Sequence, residues 1–398
     1  MLNGRNRPLG FAENPEALAR QRHLFYVVDW LPPEFGAVGQ YAMLFAREIA
    51  RSGRDVSLIG LGSGPRQVSV EKLEKGSLEI IRVPAKHYNK SGLMVRLIWS
   101  LRANLRLISE VVRDPRSNNG QLLFTGAPPF MLFYAVFARS LRSMRLIYRI
   151  TDFYPEVLVE ALGKKSLALS LFSKLTWWFR RRVDEFEALG NDQRRLLISG
   201  GIAAARITLK RDVPPTRIMG NEMPAQRPAN LRHERILLYS GNYGVAHEVE
   251  TVVQGLIRHR EAGGSFGLWL NASGSNIDAI LARLRAARVP VAHTQPGPLE
   301  QLPHLLAVAD AHLISLRTNF AGLVLPSKIY GCLNSKRPIL FVGPRSSDVH
   351  SLCVETQHPE YAQVEPGDAA GFALALERFE HLTTDRSRTC FNLARSSI

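Results

Sequence analysis

Two short stretches in the second half of the chain combine glycines with a side chain that can bind an anion. In residues 240–248 (SGNYGVAHE), two glycines form a turn and His247 follows it. In residues 322–331 (GLVLPSKIYG), Ser327 and Lys328 stand where a helix is expected to begin. A lysine is unfavourable at a helix N-terminus unless an anion lies there, and a histidine in a first helical turn can donate to a phosphate. Both stretches therefore indicate a phosphate site, with a solvated lysine and a solvated or capping histidine as the structural alternatives.

A third glycine stretch lies near the N-terminus, in residues 33–40 (PEFGAVGQ). Gly36 and Gly39 would let the backbone approach a ligand at the start of a helix, and that helix end favours an anion. The stretch is not GxGxxG, so the dinucleotide-binding fingerprint is not met. A tight structural turn explains it equally well.

Two carboxylates follow an apolar run in residues 151–156 (TDFYPE). Asp152 is placed to polarise or orient an acceptor hydroxyl. Glu156 is explained as well by the opening of the next helix.

The elements that must position these residues alternate between strand and helix patterns. Apolar runs such as HLFYVVDW and RILLYSG are typical of buried strands, whereas YAMLFAREIARSG and VETVVQGLIRHREAGG place apolar residues at helical spacing. This alternation predicts parallel sheets covered by helices on both faces. FYPEVLVEALG is interpreted as a loop, TRIMGNEMP as the last strand of the first half, and residues 224–232 as a linker.

The predicted fold is therefore α/β, with two Rossmann-like domains facing across a cleft. We predict an N-terminal extension at residues 1–22, a first domain at 23–224, a second domain at 225–380 and a C-terminal tail at 381–398. In open α/β sheets, ligands bind at the carboxyl ends of the strands, and the glycine stretches stand at those ends.

Composition excludes several other classes of protein. The chain has 398 residues, of which 45% are hydrophobic, enough for two ordinary cores. Its three cysteines, Cys332, Cys353 and Cys390, are widely spaced, so neither a disulfide scaffold nor a metal site is indicated, and a reducing cytoplasm is favoured. The polar start lacks the apolar core of a secretory signal. The apolar residues 121–138 contain two consecutive prolines, which favours a strand and a core helix over a membrane span.

Positive charge is concentrated in the first half of the chain. The net charge is +16, and residues 1–220 hold 34 Lys and Arg against 19 Asp and Glu, a net of +15, which leaves +1 for residues 221–398. Such a field attracts phospholipid, nucleic acid or a phosphorylated acceptor. In residues 174–182 (KLTWWFRRR), aromatic side chains adjoin arginines, which suits a headgroup interface. Core packing of at least one tryptophan is the alternative.

The chain resembles the family-4 retaining glycosyltransferases from about residue 23 to 380. VVDWLPPEFGAVGQYAMLFAREIARSGRDVSLIG resembles the opening of their first domain, and LLYSGNYGVAHEVETVV that of the second. GLVLPSKIYGCLNSKRPILFVG is similar to the donor-binding segment in its Pro-Ser-Lys variant, found among exopolysaccharide and lipopolysaccharide sugar transferases. The resemblance implies the glycosyltransferase B fold, a nucleotide-diphospho-sugar donor, and neither a metal ion nor another cofactor.

The resemblance also implies roles for the residues at matching positions. Asp152 falls near the segment that contacts the sugar or the acceptor and is the candidate catalytic residue. The implied donor and diphosphate contacts are Gly36, Gly39, Gly241, Asn242, Gly244, His247, Gly322, Ser327 and Lys328.

The chain departs from the family pattern at four positions. Many members carry Arg and Lys where this chain has Asn242 and His247, and a Glu-x7-Glu pair where it has Leu323 and Gly331. The later glutamate normally binds the ribose hydroxyls, so ribose recognition must differ here. We interpret the differences as a character of the Pro-Ser-Lys subfamily.

Three functions remain open at this point. The first is an active sugar transferase with a lipid-linked or saccharide acceptor, cytoplasmic and peripheral on an anionic membrane surface, in bacterial cell-surface polysaccharide biosynthesis. The second is a catalytically decayed partner or scaffold subunit. The third, a nucleic-acid binder, lacks any helix-turn-helix, zinc or RNP pattern, so no nucleic acid is expected as a partner.

Overall fold

The computed structural model describes residues 23–34, 37–86, 93–163, 166–214, 216, 218–219 and 222–395. The predicted N-terminal extension and the candidate Gly36 lie outside them. The described chain divides into two compact units. One contains the residues up to Arg149 together with Phe179–Phe186, and the other contains Ile150–Trp178 together with the residues from Glu187 onward. The boundaries given above for linear domains remain predictions.

Within the described residues, the strands form two sheets, the first with eight strands in the order β3-β4-β2-β1-β5-β6-β7-β8. Parallel pairs join β1 to β2 and β5, β2 to β4, and β5 to β6, whereas β3 runs antiparallel to β4 at one edge. The strands are β1 Leu24–Trp30, β2 Val56–Gly62, β3 Gln67–Lys72, β4 Ser77–Pro84, β5 Gln121–Thr125, β6 Arg145–Ile150, β7 Glu185–Ala188 and β8 Ile207–Leu209. The accompanying helices are α1 Ala37–Arg51, α2 Leu93–Arg113, α3 Met131–Leu141, α4 Glu156–Leu162, α5 Leu167–Arg180 and α6 Asn191–Ser199.

The second sheet has six strands in the order β11-β10-β9-β12-β13-β14, and every neighbouring pair is parallel. Its strands are β9 Arg235–Asn242, β10 Phe266–Ser273, β11 Val291–Thr294, β12 Ala311–Ser315, β13 Ile339–Val342 and β14 Tyr361–Val364. Its helices are α7 Glu250–Glu261, α8 Ile277–Ala286, α9 Leu302–Val308, α10 Lys328–Ser335, α11 Asp348–Glu355 and α12 Ala369–Arg395. The predicted α/β class with two mainly parallel sheets is confirmed.

The central strands of both sheets are buried beneath helices. Strand β2 is buried along its whole length, and apolar side chains of α1 pack with those of β1, β2 and β4 in one core. In the second sheet, side chains of α7, α8 and α12 close a larger core over β9, β10 and β12. This burial explains why the strand runs are continuously apolar rather than alternating.

Two local predictions were wrong. The stretch FYPEVLVEALG contains α4, where Val157 packs onto an apolar cluster of the second unit. TRIMGNEMP holds no strand among its described residues, and the first sheet ends instead at β8. Prolines at 214, 215 and 224 flank that stretch and remove the amide donors that a sheet strand needs.

Candidate functional site

The turn after β9 is built on two buried tyrosines. Gly241 has a φ of +121°, a conformation that side chains rarely adopt. Below the turn, the Tyr239 hydroxyl donates to the carbonyl of Asn242 at 2.7 Å, and the Tyr243 hydroxyl donates to the carbonyl of Glu248 at 2.5 Å. The turn is thus held from beneath, while the Asn242 residue itself is exposed.

Lys328 reaches this turn from the first position of α10. Its Nζ lies 2.9 Å from the Tyr239 hydroxyl oxygen and 4.3 Å from the centroid of that ring. A β-carbon on Gly241 would lie 3.6 Å from the Lys328 Cε. Burial lowers the pKa of Lys328 to about 8. In the part of the chain that the structure describes, no acidic side chain forms an ion pair with this amine.

His247 lies in the connection to α7, three residues before the helix begins rather than in its first turn. Its Nδ1 is 2.6 Å from the carbonyl oxygen of Ser315, at the end of β12. Because a carbonyl can only accept a hydrogen bond, Nδ1 is the protonated ring nitrogen and donates to it. Burial, and after it the charge of Lys328, lowers the pKa of His247 to about 3. The imidazole is therefore neutral and fixes the loop to β12. Whether it also contacts a phosphate stays a prediction.

Gly244 and Ser327 complete the two stretches. The Gly244 carbonyl accepts a hydrogen bond of 2.8 Å from the Asn276 side chain, which joins the turn to the start of α8. Ser327 directly precedes α10 with helical backbone angles, and its hydroxyl does not cap the helix. Its side chain therefore occupies a first-turn position rather than that of a capping residue.

Asp152 lies beside the segment that carries Lys328, within the same unit. The amide of Phe153 donates to the Leu323 carbonyl at 2.8 Å, and Asp152 forms an antiparallel bridge with Val324. Gly322 turns the chain before this pairing with a φ of +77°. Asp152 keeps an exposed surface, but the surrounding protein desolvates its charged form and raises the pKa of Asp152 to about 6.

Gly39 belongs to the first unit and has a packing role there. A β-carbon at this position would lie 1.8 Å from the carbonyl oxygen of Trp30, the last residue of β1. Only glycine lets α1 approach the strand this closely. A donor contact by Gly39 remains a prediction.

The structure therefore brings Gly241, Lys328 and His247 together, and pairs the Asp152 loop with the segment that ends at Lys328. Sequence reasoning missed Tyr239, which holds the amine. Its only signal was an aromatic residue near the end of a strand, and that is common in any core. The two positions without glutamate, Leu323 and Gly331, are both buried, and a β-carbon on Gly331 would lie 3.2 Å from the Leu306 side chain.

Among the described residues, no group of three His, Cys, Asp or Glu side chains is placed to hold a metal ion. Nor is any described helix both long and apolar enough to cross a bilayer.

Residues 36–211 match the family model described as "Glycosyl transferase 4-like domain". This part of the chain is similar to family-4-like glycosyltransferase domains. Outside this match lie the Lys328 and Gly241 stretches, whose roles rest on the geometry above.

Two curated bacterial relatives of this chain are named as glycosyltransferases. The probable glycosyltransferase WbjE of Pseudomonas aeruginosa is 23% identical over 261 residues, which are 61% of this chain and 62% of WbjE. The match thus spans less than two thirds of that relative's length. The putative colanic acid biosynthesis glycosyl transferase WcaI of Escherichia coli (strain K12) is 22% identical over 91% of this chain and 94% of WcaI.

The fold is the glycosyltransferase B fold. WaaG, a solved glycosyltransferase involved in lipopolysaccharide biosynthesis, superposes with a TM-score of 0.56 at 14% identity. The superposition covers 90% of each chain.

Proposed function

We propose that this protein transfers a sugar from a nucleotide-diphospho-sugar to an acceptor, with retention of anomeric configuration and without a metal ion. The observation that carries this proposal is the Lys328 amine at the Gly241 turn. It is a cation without an acidic partner among the described residues, and it stands at the carboxyl end of β9. Such a cation and the amide dipoles of a helix N-terminus can stabilise a departing diphosphate in place of a metal.

Asp152 is the residue we assign to the sugar or the acceptor. Its loop is joined by backbone pairing to the segment that ends at Lys328. A carboxylate with a pKa of about 6 can orient an acceptor hydroxyl at neutral pH and accept a hydrogen bond from it. Gly241, Asn242, Gly244 and the first turn of α10 would then contact the diphosphate.

We further propose that the acceptor is lipid-linked and that the protein works at an anionic surface of the cytoplasmic membrane. The charge split of +15 against +1 favours such a surface. Residues 174–182 divide between the interior and the surface. Arg180 is fully buried and Trp177 packs so closely on Gly200 that a β-carbon there would lie 2.0 Å from its ring, whereas Trp178, Arg181 and Arg182 are exposed.

Helix α2 offers a second candidate for a membrane-facing surface. Five large apolar side chains on its outer side are between 39% and 64% exposed, namely Met94, Val95, Ile98, Leu101 and Leu105. Arg102 and Arg106 are also exposed there. Helix α3, which packs against α2, adds exposed Phe137 and Leu141. Contiguous apolar side chains beside arginines suit the boundary between headgroups and acyl chains.

A donor screen tests the transferase directly. The full chain is titrated calorimetrically with UDP, GDP, ADP and dTDP, and the diphosphate that binds selects the sugar nucleotides for a hydrolysis assay. We expect one diphosphate to bind and its sugar nucleotide to be hydrolysed slowly without acceptor. Binding without hydrolysis or transfer would favour the decayed partner subunit, and no binding by any diphosphate would contradict the donor site.

A further inference from the structure

We propose that Tyr239 is a positioning residue, which holds the Lys328 ammonium at the Gly241 turn through its hydroxyl group and its ring. This inference rests on the proposed function for its meaning, but the contact itself can be tested without any donor.

The contact has two components on the same side chain. The Lys328 Nζ donates to the Tyr239 hydroxyl oxygen at 2.9 Å and lies 4.3 Å from the ring centroid. The hydroxyl donates in turn to the Asn242 carbonyl at 2.7 Å. Tyr239 is fully buried, so its ring is fixed by packing. The amine is thus linked through one rigid side chain to the backbone of the turn that would face the diphosphate.

The groups that face Lys328 leave its charge unneutralised. From β9 comes Tyr239, whose pKa burial raises well above its ordinary value. From the loop before α7 comes His247, which is neutral. From its own helix comes Cys332, whose thiol pKa burial raises to about 12. None of these groups is anionic at neutral pH. An ammonium held by an aromatic side chain keeps its full charge for a ligand, whereas a carboxylate partner would compete with the ligand's phosphates.

The tyrosine pair provides a matched control. Tyr243 is equally buried and its ring centroid lies 4.3 Å from that of Tyr239, but its hydroxyl donates to Glu248 and is not bonded to Lys328. Tyr239→Phe removes the hydroxyl that bonds the Lys328 amine. Tyr243→Phe removes a neighbouring hydroxyl that does not bond the amine. Both variants keep the ring, and circular dichroism with thermal unfolding checks that both fold.

The first measurement is the pH dependence of Lys328 acetylation, followed by mass spectrometry on the full chain without nucleotide. In Tyr239→Phe the ammonium loses a hydrogen-bond acceptor, so we expect the midpoint of reactivity to move to lower pH. Tyr243→Phe should keep the midpoint of the unmodified protein. Equal midpoints in all three proteins, or the same shift in both variants, would overturn the positioning role.

The second measurement separates this inference from the proposed function. Titration with inorganic pyrophosphate, UDP and GDP at pH 7.5 should show affinity about tenfold weaker in Tyr239→Phe, and a smaller loss in Tyr243→Phe, which keeps the bond to the amine. If none of these probes binds the unmodified protein while the acetylation midpoint still shifts, Tyr239 positions Lys328 as inferred, and the diphosphate site of the proposed function fails. If the probes bind all three proteins equally, the inference fails and the donor site stands.

Discussion

At the scale of single residues, the candidate site depends on a partly buried lysine that forms no ion pair with an acidic side chain of the described structure. The glycine turns and Lys328 were predictable, because parallel strands bring their carboxyl ends to one edge of a sheet. The role of Tyr239 was not predictable, because it depends on where the side chain of Lys328, 89 positions away in sequence, lies in the fold. The state of His247 depends in the same way on the Ser315 carbonyl, which no local pattern reveals.

Lys328→Ala should weaken nucleoside diphosphate binding by roughly tenfold to a hundredfold, since a hydrogen bond to a charged group is worth about 1.5–3 kcal/mol. The free energy of unfolding should change little, because the amine forms no ion pair with an acidic side chain of the described chain. Calorimetry and thermal unfolding measure the two effects. Lys174→Ala, an exposed lysine on α5, is the control, and a dissociation constant equal in both variants would assign the diphosphate to other groups.

Asp152 should make transfer depend on pH near 6. Desolvation raises its pKa to about 6, so the carboxylate is lost as pH falls through that value, and the rate should fall with it. Asp152→Asn should abolish this inflection and lower the rate at pH 7.5 by about a hundredfold. Because the pKa is higher in the folded than in the unfolded state, ionised Asp152 opposes folding, so the uncharged amide should not lower the melting temperature at pH 7.5. A pH profile that is the same in both proteins would exclude the carboxylate from the reaction.

At the scale of elements, the order of strands and helices was largely predictable, and the exceptions have physical causes. Strands buried on both faces have continuous apolar runs, and such runs can be recognised in the sequence. Strand β3 was not predicted because it is a mostly exposed edge strand in which only Val68 and Val70 are apolar. Helix α5 was identified correctly, but which of its residues face inward depends on Gly200 and on neighbours far away in sequence.

The outer face of α2 should be required for vesicle binding. Leu101→Glu combined with Leu105→Glu should lower partitioning onto anionic vesicles by about tenfold or more, since burial of one leucine is worth about 1.5–3 kcal/mol. Co-sedimentation measures this, and binding should weaken between low and high salt. Leu374→Glu, at an exposed leucine on α12, is the matched control.

Two outcomes would contradict the membrane surface. One is equal sedimentation of the α2 variant and the control variant. The other is a dimer of the unmodified protein that the α2 variant converts to a monomer in light scattering, because the apolar face would then be covered by a second copy of the chain.

At the scale of the whole molecule, the described chain forms two mainly parallel sheets, and residues 1–220 carry a net charge of +15. The fold was predictable because strand–helix alternation and the order of the glycine stretches agree with each other. The division into units was not, since the chain passes between them near residues 149, 178 and 186, and no composition change marks those places.

Transfer should be unaffected by excess EDTA. The proposed diphosphate contacts are an amine, backbone amides and a helix N-terminus, all of which act without a metal ion. The test compares rates before and after chelation and again after Mg²⁺ or Mn²⁺ is added. Activity that EDTA removes and a divalent cation restores would contradict the metal-independent mechanism.

The pairing of Phe153 with Leu323 makes one backbone amide a reporter on two loops. The proton belongs to the Asp152 loop, whereas the carbonyl that shields it belongs to the segment that leads to Lys328. Its rate of hydrogen–deuterium exchange is therefore set by how often those two loops separate. A diphosphate that steadies the second loop should slow exchange at Phe153 although it never touches that residue, and an isotope measurement can thus show whether donor and acceptor loops move as one body.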